Sequence, residues 1–106
     1  MSAGGDFVLH PLAARDITAI WEFVAAESPA AARRVREEIL SAIRRVAAFP
    51  ESGHKRPELT SHPLRFVLVR EYLIAYAPEE RPLWVVAVIH GRHNPRVMAA
   101  ILRGRR

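Results

Sequence analysis

The sequence predicts an α+β fold in which a helical hairpin packs on one face of a small antiparallel sheet. Two amphipathic helical patterns lie in the first half, only a residue or two apart. Three runs rich in β-branched and aromatic residues follow, and a short helical pattern closes the chain. The predicted order is β-α-α-β-β-β-α. With 106 residues, 50% hydrophobic and 25% charged, we expect a single domain over residues 1–106.

The first helix is predicted from Pro11 to about Ala26, after a short strand at Phe7–Leu9. Apolar residues recur there at spacings of three and four, which places them on one helical face. This face consists of Ile17, Ile20, Trp21 and Val24.

A second helix is predicted from Pro29 to about Ala48. Ser28 is a suitable N-cap, and proline is tolerated at the first helical position, where its missing N–H has no intrahelical acceptor. The expected buried stripe consists of Val35, Ile39, Ala42, Ile43 and Val46. Because so few residues separate the helices, they should pack as an antiparallel hairpin.

A segment rich in turn formers, residues 50–63, separates the helices from the predicted strands, and a loop of this length is usually functional or mobile. The strands that follow are Leu64–Val69, Tyr72–Ala77 and Leu83–His90. Asn94-Pro95 repeats the cap-plus-proline pattern and opens a short final helix, which Gly104 is placed to end.

The last predicted strand is apolar on both faces. Strict alternation puts Trp84, Val86 and Val88 on one face. The other face would then carry Leu83, Val85, Ala87 and Ile89. Strands of this kind are usually covered on both sides. The hairpin can cover one face, so we expect a partner chain to cover the other, the alternative being that the final helix suffices.

Positive charge is concentrated at the end of the chain. From Arg81 onward there are six arginines and no acidic residue, whereas the preceding residues carry a net charge of −1. This asymmetry suggests an anionic partner, either nucleic acid or an acidic protein segment. For the last four residues alone, a solvated basic tail is an equal alternative.

Several short segments, taken in order, carry a resemblance to a known family. They are Leu12-Ala13-Ala14-Arg15-Asp16-Ile17 with Ile20-Trp21, Pro50-x-x-Gly53, Leu64-Arg65, Tyr72-Leu73-Ile74-Ala75-Tyr76 and Val88-Ile89-His90-Gly91-Arg92-His93. Their order and spacing resemble RelE/ParE-type toxins of type II toxin–antitoxin systems. The resemblance implies a helical hairpin on an antiparallel sheet and a cognate antitoxin, whose acidic, apolar C-terminal arm wraps the toxin.

The family contains two activities on one scaffold, so the fold alone does not decide between them. ParE-like members inhibit DNA gyrase by binding, whereas RelE-like members are ribosome-dependent mRNA endoribonucleases. RelE-like enzymes share three functional residues. These are a basic residue within the Tyr-x-x-x-Tyr strand, an arginine after the glycine that follows the last strand, and a tyrosine in the final helix. Here the strand position is Leu73, the final helix has no tyrosine, and only Arg92 remains. The sequence therefore favours a ParE-like gyrase inhibitor.

Two alternatives remain open: a nuclease that acts on ribosome-bound mRNA through His93, Arg92 and Arg96, and a non-toxic remnant that only binds partners. The residues expected to contact the target or the antitoxin are Arg65, His90, Arg92, His93, Arg96 and Arg103. His90 has a competing interpretation, which is a capping or packing role at the strand end. Arg65 could equally bind phosphate or anchor a carboxylate, either that of Glu71 or the C-terminus of the antitoxin.

Other classes of site and location are not indicated. The chain has no cysteine, and His90-x-x-His93 straddles a strand end, so we expect neither a metal nor another cofactor. Residues 1–6 do not resemble a signal peptide, and the longest apolar run is too short to span a membrane. We therefore expect a cytoplasmic protein.

Overall fold

The computed structural model describes residues 6–105, in which three α-helices and four strands form a helix–sheet–helix arrangement. The helices are α1 (Pro11–Ala25), α2 (Pro29–Ala48) and α3 (Pro95–Arg103). The strands are β1 (Phe7–Leu9), β2 (Arg65–Val69), β3 (Tyr72–Ala77) and β4 (Leu83–His90). The predicted α+β class and element order are confirmed, and the element ends differ from the prediction by at most one residue.

The sheet has the strand order β1-β4-β3-β2. Strands β2, β3 and β4 pair in antiparallel fashion, as expected, but β1 pairs parallel to β4. The sheet is therefore mixed and not wholly antiparallel. A strand of three residues has no pattern of its own that specifies direction, so its neighbours decide how it pairs.

Side-chain caps begin both helices of the hairpin. Ser28 Oγ accepts the N–H of Ala31 at 3.1 Å, and His10 Nδ1 accepts the N–H of Leu12 at 3.0 Å. The predicted stripe of α2 is entirely buried. In α1, Ile17 is buried, whereas Ile20, Trp21 and Val24 are half-buried at the hairpin's edge.

A β-bulge in β4 changes which residues face the hairpin. Val85 pairs with Tyr76 and Ala87 pairs with Ala75, so Val86 is one extra residue on β4. The alternation of side chains reverses at this point. As a result, Leu83, Val85 and Val88 belong to the core beneath the hairpin, whereas Val86, Ala87 and Ile89 belong to the core on the opposite face. The predicted assignment of faces was therefore wrong beyond Val86.

The second face of β4 is covered by the chain itself. Met98 and Leu102 of α3, together with Leu59 of the loop before β2, close a second core in which no residue is more than 6% exposed. Ala75 and Ala87 lie opposite one another in this core, and their small side chains leave room for α3. This helix has only nine residues. The inference that a partner must bury this face is therefore wrong, and the alternative, coverage by α3, is correct.

The loop between α2 and β2 is anchored at several points. The Tyr76 hydroxyl accepts the N–H of Gly53 at 2.9 Å and donates to the carbonyl of Pro50 at 2.8 Å. Burial raises the pKa of this hydroxyl above its usual value. Glycine is required at position 53 because a Cβ there would overlap the Tyr76 hydroxyl and come within 2.9 Å of the Phe66 carbonyl. This packing explains the Pro50-x-x-Gly53 pattern.

The turn between β2 and β3 consists of Arg70 and Glu71, since Val69 pairs with Tyr72. Arg70 has a φ of 54°, a left-handed conformation that a non-glycine residue adopts at a cost of about 1 kcal/mol or more. Its guanidinium makes two bonds to the Glu38 carboxylate, at 2.7 and 3.0 Å. The bond from Arg70 holds the pKa of Glu38 below its usual value. This contact ties the turn to α2.

If α3 covers the second core, Leu102→Ala should lower the free energy of unfolding of the isolated chain by about 2–4 kcal/mol. Leu102 is 2% exposed, and its truncation leaves a cavity. Val97→Ala in the same helix is the matched control, because Val97 is 40% exposed and its loss should cost less than about 0.5 kcal/mol. Equal costs in urea unfolding would contradict coverage by α3.

Tyr76→Phe should destabilise the chain by about 1–3 kcal/mol, because the buried N–H of Gly53 and the Pro50 carbonyl lose their partner. Tyr72→Phe serves as the control, since the Tyr72 hydroxyl makes no hydrogen bond to another described residue. Thermal or urea denaturation measures the difference. A similar effect of both substitutions would show that the Tyr76 hydroxyl does not anchor the loop.

Candidate functional site

The turn between β4 and α3 presents the predicted basic residues in a fixed conformation. Asn94 Oδ1 accepts the N–H of Val97 at 2.9 Å, which caps α3. The N–H of His93 donates to the carbonyl of His90 at 3.2 Å and closes the turn on its other side. Hydrogen bonds at both ends therefore define the path of this turn.

Gly91 packs this turn against the one between β2 and β3. Its N–H donates to the carbonyl of Glu71 at 2.6 Å. A Cβ at position 91 would stand 3.1 Å from that same oxygen, so any larger residue would push the two turns apart. The glycine of the His90-Gly91-Arg92 segment is thus explained by close approach between backbones.

His90 forms part of the support beneath the turn. Its Nδ1 accepts the N–H of Arg92 at 3.1 Å, and its ring meets Tyr72 edge-on at 5.3 Å. Its Nε2 is 4.0 Å from a carboxylate oxygen of Glu71, and the side chain is 28% exposed. This geometry corresponds to the capping interpretation of His90, since the ring is engaged with the backbone it supports.

Four of the predicted residues are exposed around this turn and α3: Arg92, His93, Arg96 and Arg103. Within residues 6–105, their side chains make no hydrogen bond or ion pair. Arg96 and Arg103 are seven residues apart, so they lie on one face of α3 about 10 Å from each other. Ala100 and Val97, both exposed, lie beside them on that face. We call this set, with Arg92 and His93, the α3 surface.

Arg65 is not part of the α3 surface. It pairs with Tyr76, whereas His90 pairs with Tyr72, so four residues of β3, or about 13 Å, separate the two positions. Arg65 donates to the Gly53 carbonyl at 2.7 Å and lies 2.9 Å from Glu51. It therefore anchors a carboxylate of the loop, although Glu51 replaces the suggested Glu71.

An ion pair between Asp16 and Arg105 was missed by the sequence reasoning. Arg105 makes two bonds to the Asp16 carboxylate, at 2.5 and 3.0 Å, and a third to the carbonyl of Val86 at 3.2 Å. Asp16 also accepts the N–H of Val88 at 2.9 Å. Since β1 pairs with β4 only from Leu83 to Val85, these two side chains satisfy the backbone of β4 beyond the end of β1.

One signal in the sequence could have revealed Asp16. It lies three residues after Ala13 and four before Ile20, on the apolar side of α1, where an acidic side chain requires a partner. No pattern in the sequence indicated a buried role for Arg105, because an arginine in a basic tail is ordinarily expected to be solvated.

The basic end of the chain is therefore smaller than the sequence suggested. Arg105 is held by Asp16, and its side chain is only 11% exposed. Arg81 donates to the carbonyls of Pro78 and Glu80 in its own turn. Arg106 lies outside the described residues. Three of the six arginines, Arg92, Arg96 and Arg103, remain available in the described part of the chain.

The candidate nuclease residues Arg92, His93 and Arg96 lie together on the α3 surface, but the strand position Leu73 is not exposed beside them. Leu73 is buried in the second core with Met98 and Leu102, so this point of the sheet is closed by α3. His93 has no carboxylate among residues 6–105 to orient its imidazole. In the described part of the chain, no group of three or more His, Asp or Glu side chains is placed to hold a metal ion.

The family model described as "ParE toxin of type II toxin-antitoxin system, parDE" matches residues 7–95. The chain belongs to the ParE toxin family. This membership makes it a type II toxin with a cognate antitoxin as partner. The matched region of this ParE-family chain ends at the first residue of α3, so Arg96, Arg103 and Arg105 lie beyond it. No curated protein matches the chain significantly. No helix in residues 6–105 is long and apolar enough to cross a membrane.

Asp16→Ala should destabilise the toxin by about 1–3 kcal/mol, since it leaves the N–H of Val88 without its acceptor and the Arg105 guanidinium without its carboxylate partner. Arg105→Ala should cost less, about 1 kcal/mol, because Asp16 keeps the bond from Val88 and is 20% exposed to water. Urea unfolding of both variants measures the asymmetry. A larger loss for Arg105→Ala would contradict the role given to Asp16.

Proposed function

We propose that this ParE-family toxin inhibits DNA gyrase by binding it through the α3 surface, in the cytoplasm. The observation that supports the proposal best is the composition of that surface. Arg96 and Arg103 flank Ala100 and the 40%-exposed Val97, on a helix whose other side closes the second core.

An apolar centre with arginines beside it suits a protein partner. Interface cores are depleted of most charged residues but enriched in arginine, and the polar rim excludes water from the apolar contacts. The α3 surface is also held in place by Leu102 and by the pair between Asp16 and Arg105. A surface that is already ordered loses little conformational entropy on binding.

The nuclease alternative demands more than this surface supplies. RNA cleavage needs a base at the 2′-hydroxyl and an acid at the leaving oxygen, both in defined positions. His93 is a single imidazole on an exposed turn, and Leu73 can neither transfer a proton nor stabilise negative charge. Inhibition by binding needs only the complementary surface, so the observed residues fit it better.

We propose further that the antitoxin contributes an acidic, apolar arm to this same α3 surface. Since α3 already covers β4, the arm has no vacant core to enter and would bind on the outside of the fold. Its carboxylates would meet Arg92, Arg96 and Arg103, and its apolar side chains would meet Val97. Neutralisation would then result from competition with gyrase for one surface.

A supercoiling assay with purified toxin and gyrase tests this function. Arg96→Gln/Arg103→Gln should raise the toxin concentration needed for half-inhibition by about tenfold or more, as loss of an interface arginine commonly costs over 1 kcal/mol. Arg15→Gln/Lys55→Gln is the charge-matched control, since both residues are exposed and neither belongs to the α3 surface, and it should inhibit as the parent does.

Other outcomes of the assay distinguish the alternatives. Unaffected supercoiling at micromolar toxin would contradict gyrase as the target. Codon-phased mRNA cuts in a translating extract, abolished by His93→Ala, would show that the toxin is an mRNA endoribonuclease and would contradict the proposal. Normal growth on expression without antitoxin would instead favour the non-toxic remnant.

A further inference from the structure

The solvent face of α2 carries a second set of cations. Its five arginines are all exposed: Arg33, Arg34, Arg36, Arg44 and Arg45. None of them forms an ion pair with a carboxylate in residues 6–105. The arginines that hold the fold together are, by contrast, each paired, as Arg70 is with Glu38 and Arg105 with Asp16. The guanidinium groups of α2 are therefore not held by ion pairs within the described residues.

Acidic residues of α2 offset little of this charge. The helix has two, Glu37 and Glu38, and Glu38 accepts bonds from two of the three nitrogens of the Arg70 side chain. Glu37 is the remaining acidic residue on a helix that carries five arginines. Charge counted along the sequence hides this surface, because the first 80 residues carry a net charge of −1. Folding separates the charges by pairing acids with arginines elsewhere.

The five arginines form two rows along the helix. At 100° per residue, Arg33, Arg36 and Arg44 lie on the side toward α1, and Arg34 and Arg45 lie on the side toward the Arg70 turn. From Arg33 to Arg45 the rows extend about 18 Å at 1.5 Å per residue. The ridge between them is formed by Ala30, Glu37, Ser41 and Ala48, all exposed.

This arrangement suits a polyanion with regularly spaced charges on two sides of a groove. The major groove of duplex DNA is about 12 Å wide and admits an α-helix, with a phosphate strand on either side. Guanidinium groups bind phosphate oxygens through paired donors. The ridge has no Asn, Gln or Arg aimed between the rows, so it lacks the groups that usually read base edges. It also lacks a large apolar side chain to anchor an acidic peptide.

We propose that the outer face of α2 binds the phosphate backbone of duplex DNA without sequence preference. The inference goes beyond gyrase inhibition and does not depend on it, because the contact needs only the toxin and DNA. It assigns the two basic surfaces to different partners, with protein at the α3 surface and nucleic acid at α2.

Fluorescence anisotropy with a labelled 20-base-pair duplex, about two helical turns long, tests the proposal on the purified chain. With up to five phosphate contacts, a plot of log affinity against log salt concentration should have a slope near −4.5. The affinity should therefore fall about 500-fold between 50 and 200 mM salt. Arg33→Gln/Arg36→Gln/Arg44→Gln should reduce the slope by about 2.7, at about 0.9 per contact. Two duplexes of unrelated sequence should bind equally.

The charge-matched control is Arg92→Gln/Arg96→Gln/Arg103→Gln, which should keep the parental slope. Circular dichroism establishes that both triple variants remain folded, as expected because all six arginines are exposed and glutamine is a good helix former at the five that lie in helices. Equal losses in the two variants would show that only net charge matters and would overturn the assignment. Absence of binding at 50 mM salt and about 100 μM toxin would do the same. Labelled polyglutamate that binds the toxin and is not displaced by unlabelled duplex DNA would also overturn the assignment, because an acidic polypeptide would then be the preferred ligand.

Discussion

Burial of β4 on both faces is the constraint on which the other features depend. The hairpin of α1 and α2 covers one face, and α3 with Leu59 covers the other. The bulge at Val86 makes this possible, because it distributes the large side chains between two cores and places Ala87 opposite Ala75. At the outer edge of β4, Asp16 and Arg105 bond to the backbone where β1 no longer does so. The strand thus has both its side chains and its edge satisfied.

This closure changes the meaning of the C-terminal segment. The segment is a structural layer on one side and an exposed surface on the other, so the two roles fall on different residues of one short helix. Met98 and Leu102 contribute apolar burial, whereas Arg96 and Arg103 contact solvent. Exposed ion pairs contribute little to stability, but an unsatisfied buried group is costly. Arg70 and Arg105, which are paired within the fold, can therefore be separated on physical grounds from Arg96 and Arg103, whose guanidinium groups are free to bind a partner.

The ParE family membership and the geometry answer different questions. Membership establishes that the chain is a toxin with a cognate antitoxin. It does not decide the activity, because the same scaffold is compatible with more than one. Chemistry has to be argued from the site, and here the position that would hold a catalytic cation is Leu73, enclosed in the second core. What remains exposed is suited to binding, so the proposed mechanism rests on surfaces and not on a catalytic group.

Local patterns in the sequence determined the elements themselves. The caps at Ser28 and Asn94, the stripe on α2 and the β-rich runs act within a few residues of one another, so the helices and strands could be predicted almost to the residue. Exposure of Arg92, His93, Arg96 and Arg103 was likewise predictable, since they lie among turn formers or on a polar helix face. Contacts between distant segments were decided by the tertiary structure alone: the bulge, the direction of β1, the closure by α3, and the pairing of Asp16 with Arg105 across 89 positions. Each depends on shape and on partners that no local pattern encodes. For this reason Arg81 and Arg105 of the basic tail are engaged within the fold, and α2 has a basic surface that counting charge along the chain had concealed.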